Sequence, residues 1–553
     1  MAHNTLRVIP LGGLGEFGRN MLVFEYGDRL AGDTRLIVID VGLMFPNNDM
    51  LGIDIVIPDM SYVLERIDRL QGIIITHGHE DHVGALPYLL QQTDAPVYAT
   101  RLTRGLIEVK LREAGIRDAD LRLIRPGDKL EISPFLLEFF GVSHSIPDGV
   151  GLGINTPVGL VVHSGDFKFD HSPVDGRRTD FAKLAELGGR GVLLLLSDST
   201  NAEKPGYTPS EQCIGEMFAD VFANAKGRVI VATFASNISR IQQVLDTSVR
   251  YGRRVAIVGR SMTNNVRIAR ELGYLSVPDD ALLTLDQLPL YPDHEITLVC
   301  TGSQGEPTSA LVRMGERDFR SIQVVPGDTV IVSATPIPGN EELVNRTLDN
   351  LFRLGANVFY EALLDVHVSG HASQEEQKML INLLRPRFFV PIHGEYRHLV
   401  MHAKLAQQCG VAPERIFVME TGDVLEVGED QAAVVDHVAD TRVFVDGHGV
   451  GDVEQSVIEE RRSLSRNGFL LATVTVDKYT GSLIGRPQIV TRGFISETES
   501  NGLLAEVEDE VAAALALGGG RAELQERLEK VLSRLAYERT GRRPMTVAVV
   551  HRV

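Results

Sequence analysis

Short apolar runs ending in glycine or polar residues recur through the first part of the chain. Residues 6–11, 20–27 and 35–39 read as strands, the first two separated by Gly12-Gly13-Leu14-Gly15-Glu16-Phe17-Gly18. Gly13, Gly15 and Gly18 satisfy the G-x-G-x-x-G spacing of a dinucleotide site. That fingerprint needs a helix next, whereas the following run is strand-like, so the segment reads as a glycine-rich turn. The run Gly72-Ile73-Ile74-Ile75 is another strand, followed by a short buried helix over 84–90. Strands over 135–140, 159–163 and 192–196 run out into His144, Asp166 and Asp198; the last is apolar throughout, as in a sheet buried on both faces.

From about residue 206 the pattern changes. Strands over 228–234, 254–258, 296–300 and 329–332 alternate with helical stretches over 238–250 and 264–271. That alternation predicts a parallel sheet and a second α/β domain. At its first strand end, Ser236-Asn237 suits a helix cap and an anion contact. Further on, Ser373 and Glu376 form a capping box, predicting a helix to about residue 384. Free N–H groups at its start, beside Ser369, Gly370 and His371, predict a phosphate cradle with a proton donor next to it. The strand over 388–392 ends at His393-Gly394-Glu395. Beyond residue 430 the turn-rich run Asp446-Gly447-His448-Gly449-Val450-Gly451-Asp452 reads as a connector. A last unit follows, with strands over 469–476, 487–490 and 545–550 and helices over 502–517 and 521–537. It holds no catalytic cluster and reads as an interaction or dimerisation domain.

A chain of 553 residues exceeds one core, so two to four domains are expected. No apolar run reaches membrane-spanning length, and the N-terminus lacks the basic start and apolar run of a signal peptide. The three cysteines, Cys213, Cys300 and Cys409, lie far apart, which fits a reducing cytoplasm. A net charge of −19 argues against adhesion to nucleic acid over the whole surface, but leaves room for a locally basic channel.

The densest chemistry is Thr76-His77-Gly78-His79-Glu80-Asp81-His82. On an extended backbone His77 and His79 point to one side, and Asp81 and His82 reach a neighbouring position if the chain turns there. Such a segment can serve two metal ions, with ligand types that suit zinc or manganese. Asp40, at the end of its strand, is placed to orient a metal-bound histidine. The loop over 45–54 carries oxygen ligands without tight spacing, and a solvated loop is favoured there over a structural calcium site.

His77-Gly78-His79-Glu80-Asp81-His82 resembles the H-x-H-x-D-H motif of the metallo-β-lactamase superfamily, and Asp40, His144 and Asp166 match its flanking motifs. The inserted α/β domain, Asp198, His371 and His393, the last 22 positions after His371, resemble the β-CASP branch, with the ribonuclease J family matching over essentially the whole chain. The resemblance implies an α/β fold: a metallo-β-lactamase αββα sandwich (1–205 and 366–430), an inserted β-CASP domain (206–365), a linker (431–465) and a small C-terminal α/β domain (466–553). It implies His77, His79, His144 and Asp166 at one metal and Asp81, His82, Asp166 and His393 at the other, with Asp166 bridging and Asp40 and Asp198 as supporting acids. His371 would contact phosphate and protonate the leaving oxygen. The stretch His367, Val368, Ser369, Gly370 and His371, with Ser236 and Asn237, would bind RNA phosphate, including a 5′-monophosphate end.

The implied activity is a 5′→3′ exoribonuclease with endonuclease activity in rRNA processing and mRNA decay, using two divalent ions (zinc or manganese) and leaving 5′-phosphate products by hydroxide attack in line. Implied partners are single-stranded RNA, a second copy in a homodimer or higher homo-oligomer, and RNA-decay proteins. A metallo-hydrolase of a small ester or thioester is the alternative; the long insertion argues against it, because a small substrate needs no such cover. A metal-free RNA-binding scaffold is disfavoured by the full ligand set.

Overall fold

The computed structural model describes residues 5–28, 31–47, 49–337, 339–447, 449–495 and 497–553. These form two compact units. One holds the described residues up to Phe45 together with Val56–Val443; the other holds Pro46–Ile55 and Phe444–Val553.

Within the first unit an eight-stranded sheet runs in the order Ala432–His437, Asp423–Val427, Thr5–Gly12, Met21–Asp28, Asp33–Ile39, Leu70–Ile74, Val97–Ala99 and Leu121–Leu123. A six-stranded sheet runs Phe388–Ile392, Val192–Asp198, Gly159–His163, Val150–Thr156, Phe135–Gly141 and Lys129–Ile132. Alternate residues of the two sheets meet in one core, with Val8, Phe24, Ile39 and Ile74 against Phe139, Leu152, Leu194 and Val390. Each such fully buried side chain contributes about 1.5–3 kcal/mol. Helices Phe181–Arg190, Gln374–Leu384 and Tyr396–Gln408 cover the far face of the second sheet through Leu184, Leu380 and Ala406.

The inserted sheet, six strands in the order Leu282–Leu283, Arg254–Val258, Ile296–Cys300, Val229–Ala232, Thr329–Val332 and Asn357–Phe359, is parallel throughout. Its two faces feed two separate cores, Val229 and Val231 on one side and Ile230 and Ala232 on the other. Hence its strands read as unbroken apolar runs. The first of these cores also takes in Leu102, Ile146, Val366 and Val368, so the inserted domain packs directly onto segments that lead to His144 and His371.

In the second unit Phe469–Val476 pairs antiparallel with Gln488–Arg492 and parallel with Met545–Arg552. Helix Arg521–Thr540 lays Leu524, Leu528, Leu532 and Leu535, one helical stripe, against Leu470, Ala472 and Val474. The stretch read as a connector is more regular than expected. Ala432–His437 pairs with Asp423–Val427 in a hairpin, and Gln455–Asn467 is a helix. That strand is largely exposed, so it carries no apolar alternation to betray it; His448, within the turn-rich run, lies outside the described residues. Among the described residues no helix is long and apolar enough to cross a membrane.

Candidate metal centre

The strands that the sequence marks deliver their polar residues to one rim. Asp33–Ile39 ends at Asp40, Leu70–Ile74 at the 77–82 turn, Phe135–Gly141 before His144, Gly159–His163 before Asp166, and Phe388–Ile392 at His393; Asp198 closes Val192–Asp198. Asp40 (φ 61°) and His393 (φ 56°) sit in the left-handed region, a strain of about 1–3 kcal/mol each that surrounding contacts must hold. Asp40 accepts from the Thr76 N–H and hydroxyl, both at 2.8 Å, and the His393 N–H donates to the Gly13 carbonyl at 3.1 Å.

Seven side chains converge in two sets whose ligand atoms lie within 4.8 Å of one another: His77, His79, His144 and Asp166, and Asp81, His82, Asp166 and His393. Asp166 belongs to both. Its Oδ2 lies 3.6 Å from His77 Nε2, 3.9 Å from His144 Nε2, 3.2 Å from His82 Nε2 and 3.4 Å from His393 Nε2.

Hydrogen bonds on the outer ring nitrogens assign the tautomers. His82 Nδ1 donates to Asp40 at 2.8 Å and His144 Nδ1 to the Gly370 carbonyl at 2.7 Å. The Thr76 and Thr200 hydroxyls are spent on Asp40 and Asp198, so they accept from His77 Nδ1 at 3.1 Å and His393 Nδ1 at 2.8 Å. All four Nε2 atoms therefore point inward, where a cation could take the place of any proton they carry. His79 Nδ1 lies 3.0 Å from His77 Nε2 and 3.2 Å from His144 Nε2. One proton on His79 Nδ1 can serve only one of these neighbours at a time, whereas a divalent ion can take all three ring nitrogens, so the donor set fits such an ion.

Charge divides the two sets. Burial, with like-charged histidine neighbours, holds His77 and His144 well below the usual imidazole range and brings His79 to about 4. These three imidazoles are neutral, as a metal ligand must be. Around His82 and His393 burial also opposes charge, but Asp166, with Asp81 and Asp40 or Asp198, outweighs it and raises both. Asp81 and Asp166 stay low despite burial because of those same histidines. That half of the site draws positive charge.

His371 lies beside the centre, its ring 4.8 Å from that of His144 and 5.3 Å from that of His393. Its Nδ1 bonds Asp198 Oδ2 at 2.7 Å, and the other Asp198 oxygen accepts from the Thr200 N–H and hydroxyl. The His371 carbonyl accepts from Asn201 Nδ2 and the Thr208 hydroxyl, and Ser369 Oγ accepts from Asn201 Nδ2. A Cβ on Gly370 would stand 2.7 Å from the His144 ring, so only glycine fits there.

The helix start departs from the sequence reading. The capping box and the helix Gln374–Leu384 form as expected, but the N–H groups at its start are not free. Ser373 N–H donates to Glu376, Gln374 N–H to the Lys204 carbonyl and Glu375 N–H to the Gly206 carbonyl. Those carbonyls come from a distant loop that local sequence could not bring in. The helix end therefore offers no open cradle.

Other named residues vary. Val368 is buried in the core of the inserted domain. The His367 ring, lowered to about 3 by burial with Arg240 nearby, leaves its Nδ1 without a partner. Asn237 Oδ1 caps the helix Ile238–Arg250 by accepting from the Arg240 N–H, and the Ser236 carbonyl accepts from the Ile238 N–H.

Sequence reasoning missed Thr200, Asn201 and Thr208, which orient the named residues, with adjacency to Asp198 the only signal and only for Thr200; it named Thr76 and Glu376, the latter as a helix cap, without the further bonds they make. It also missed Arg240. This fully buried residue pairs with Glu211 at 2.5 Å and donates to the Val366 carbonyl at 2.9 Å and to the Ser333 hydroxyl. It thereby ties the inserted domain to the segment leading to His371.

Residues 14–199 match the metallo-β-lactamase superfamily, 226–351 the ribonuclease J β-CASP domain, 361–419 the Zn-dependent metallo-hydrolase RNA specificity domain, and 456–553 the ribonuclease J C-terminal domain. The chain is 41% identical to ribonuclease J2 of Bacillus subtilis, covering 99% of both proteins. The chain belongs to the ribonuclease J family. It is also 42% identical to ribonuclease J of Thermus thermophilus, over 99% of this chain and 95% of that protein. A crystal structure of a protein of unknown function from Enterococcus faecalis shares the fold, with a TM-score of 0.53 at 14% identity over 76% of this chain and all of that one. Membership in the ribonuclease J family makes the architecture a metallo-β-lactamase domain with inserted β-CASP and C-terminal domains.

Proposed function

We propose that this chain is a 5′→3′ exoribonuclease favouring 5′-monophosphate RNA, with endonuclease activity as well, acting in cytoplasmic RNA processing and decay. The coarser statement rests on its family: it is a metal-dependent hydrolytic ribonuclease that binds RNA. The observation that carries the finer reading is the pair of ligand sets sharing Asp166, with His371 beside them.

In this reading His77, His79, His144 and Asp166 hold one ion and Asp81, His82, Asp166 and His393 the other, either zinc or manganese. Divalent ions, when bound by these residues, would supply Lewis-acid activation of water and of the phosphoryl group. The chain's own residues do the rest. Asp40 and the Thr76 and Thr200 hydroxyls fix the imidazoles, so little reorganisation remains when substrate arrives. His371, oriented through Nδ1 by Asp198, presents Nε2 to protonate the leaving 3′-oxygen, which leaves a 5′-phosphate on the product. His367, Ser369, Gly370 and His371, with Ser236, contact RNA phosphates, while buried Val368 and the helix-capping Asn237 hold the segments that carry them. Calcium forms no part of the reading: in the 45–54 loop the Asp49 and Leu51 carbonyls already accept from Arg462 and Arg461, and Asn48 lies outside the described residues. The C-terminal unit is assigned to self-association.

The test uses RNA of one sequence carrying a 5′-monophosphate, a 5′-triphosphate or no free end. Fastest release of 5′-mononucleotides from the first, slower cutting of the closed circle, and loss of both in His79→Ala and Asp81→Ala are expected. Equal rates on the two linear RNAs would remove the end preference, and cleavage by the variants at the normal rate would remove the metal-centre reading.

A further inference from the structure

The glycine-rich turn over 12–18 carries a nucleotide-like spacing that the proposed reaction does not use. Its place in the fold gives it another purpose. Asn20, two residues after it, is nine-tenths buried and lies against the candidate metal centre. Its Nδ2 is 3.0 Å from the Asp81 carbonyl, 3.3 Å from Asp81 Oδ2 and 3.2 Å from His82 Nε2. Its backbone N–H donates to the same Asp81 carbonyl at 3.1 Å, while its own carbonyl accepts from the Gly42 N–H at 2.9 Å. The turn crowds closely around it. A Cβ on Gly13 (φ 84°) would stand 2.2 Å from Asn20 Oδ1, so glycine there is what lets the amide lie where it does. The Gly13 carbonyl meanwhile accepts from the His393 N–H. The turn and Asn20 thus touch three of the four residues in one ligand set: Asp81 and His82 through Asn20, and His393 through Gly13.

We infer that Asn20 is a positioning residue for the Asp81–His82–His393 ion alone, its two amide hydrogens fixing the Asp81 carboxylate and carbonyl. His82 Nδ1 donates to Asp40, which leaves Nε2 to face the ion, and the two amide hydrogens of Asn20 are taken by Asp81. The inference rests on the two-ion reading above. Lost support around a ligand typically weakens metal binding about 10–100-fold, and here the loss falls on one ion of the pair.

The experiment titrates metal-free wild type and Asn20→Ala with Mn²⁺ and, separately, with Zn²⁺. Bound ions are counted by elemental analysis, and the Mn²⁺ forms are examined by electron paramagnetic resonance. Wild type is expected to take two ions and show a coupled pair. The variant is expected to bind the first ion with unchanged affinity and the second about 10–100-fold more weakly, showing a single-ion spectrum until Mn²⁺ is raised. Two ions in Asn20→Ala with wild-type affinities would overturn the role of Asn20 and leave the two-ion reading intact. Fewer than two in wild type would overturn both. Asn20→Leu, similar in shape but without a donor, repeats the measurement; if both variants fail to fold without metal, Asn20 is a folding residue and the inference falls.

Discussion

Glu376 gives the sharpest check on how the site is held. Fully buried, it accepts three backbone N–H groups from separate parts of the chain: Phe169 at 2.7 Å on Oε1, and Thr208 at 2.7 Å and Ser373 at 2.9 Å on Oε2. It joins the loop after Asp166, the loop whose Thr208 hydroxyl holds the His371 carbonyl, and the start of the helix after His371. Glu376→Gln keeps the shape but turns an amide N–H₂ toward at least one of these donors, whichever way it is flipped. A buried donor left without a partner costs about 1–3 kcal/mol, and the remaining bonds lose their charge assistance. A total of about 2–4 kcal/mol follows, a sizeable fraction of a typical domain's 5–15 kcal/mol. Local hydrogen exchange is the suitable assay, because multidomain chains rarely melt in one step. At roughly 1.4 kcal/mol per decade, the amides of Phe169, Thr208 and Ser373 should exchange about 30- to 1000-fold faster while the second unit is unchanged. RNA cleavage should fall with them. Protection at all three within threefold of wild type would refute the reasoning.

Two further outcomes are expected. Asp198→Asn removes the carboxylate that orients His371, so the single-turnover cleavage rate should drop about 10²–10⁴-fold with RNA affinity unchanged; equal loss of affinity would place Asp198 in binding. Burial lowers His402 from 6.5 to about 3, so the unfolded chain binds the extra proton between those values and His402 contributes stability that is present above pH 6.5 and lost as pH falls toward 3. Denaturant midpoints measured down that window should decline less steeply in His402→Asn, and an identical slope would contradict the assignment.

Sequence alone determined the kind of chemistry and marked most of the side chains that converge at one rim, because that information is local. The 77–82 cluster carries its spacing within one turn, and each further ligand follows a short apolar run whose end is plain from the pattern. The parallel sheet of the inserted domain was legible for the same reason, since strands buried on both faces must be apolar throughout. Tertiary structure decided what those ligands lean on. Asn20 meets Asp81, Arg240 meets Val366 and Glu376 meets Phe169 across gaps in the chain that no periodicity spans. The N–H groups at the helix start looked free in sequence and are filled by the Lys204 and Gly206 carbonyls. A buried polar group takes whichever partner the packed core brings to it, and that partner is fixed only when distant strands and loops come together.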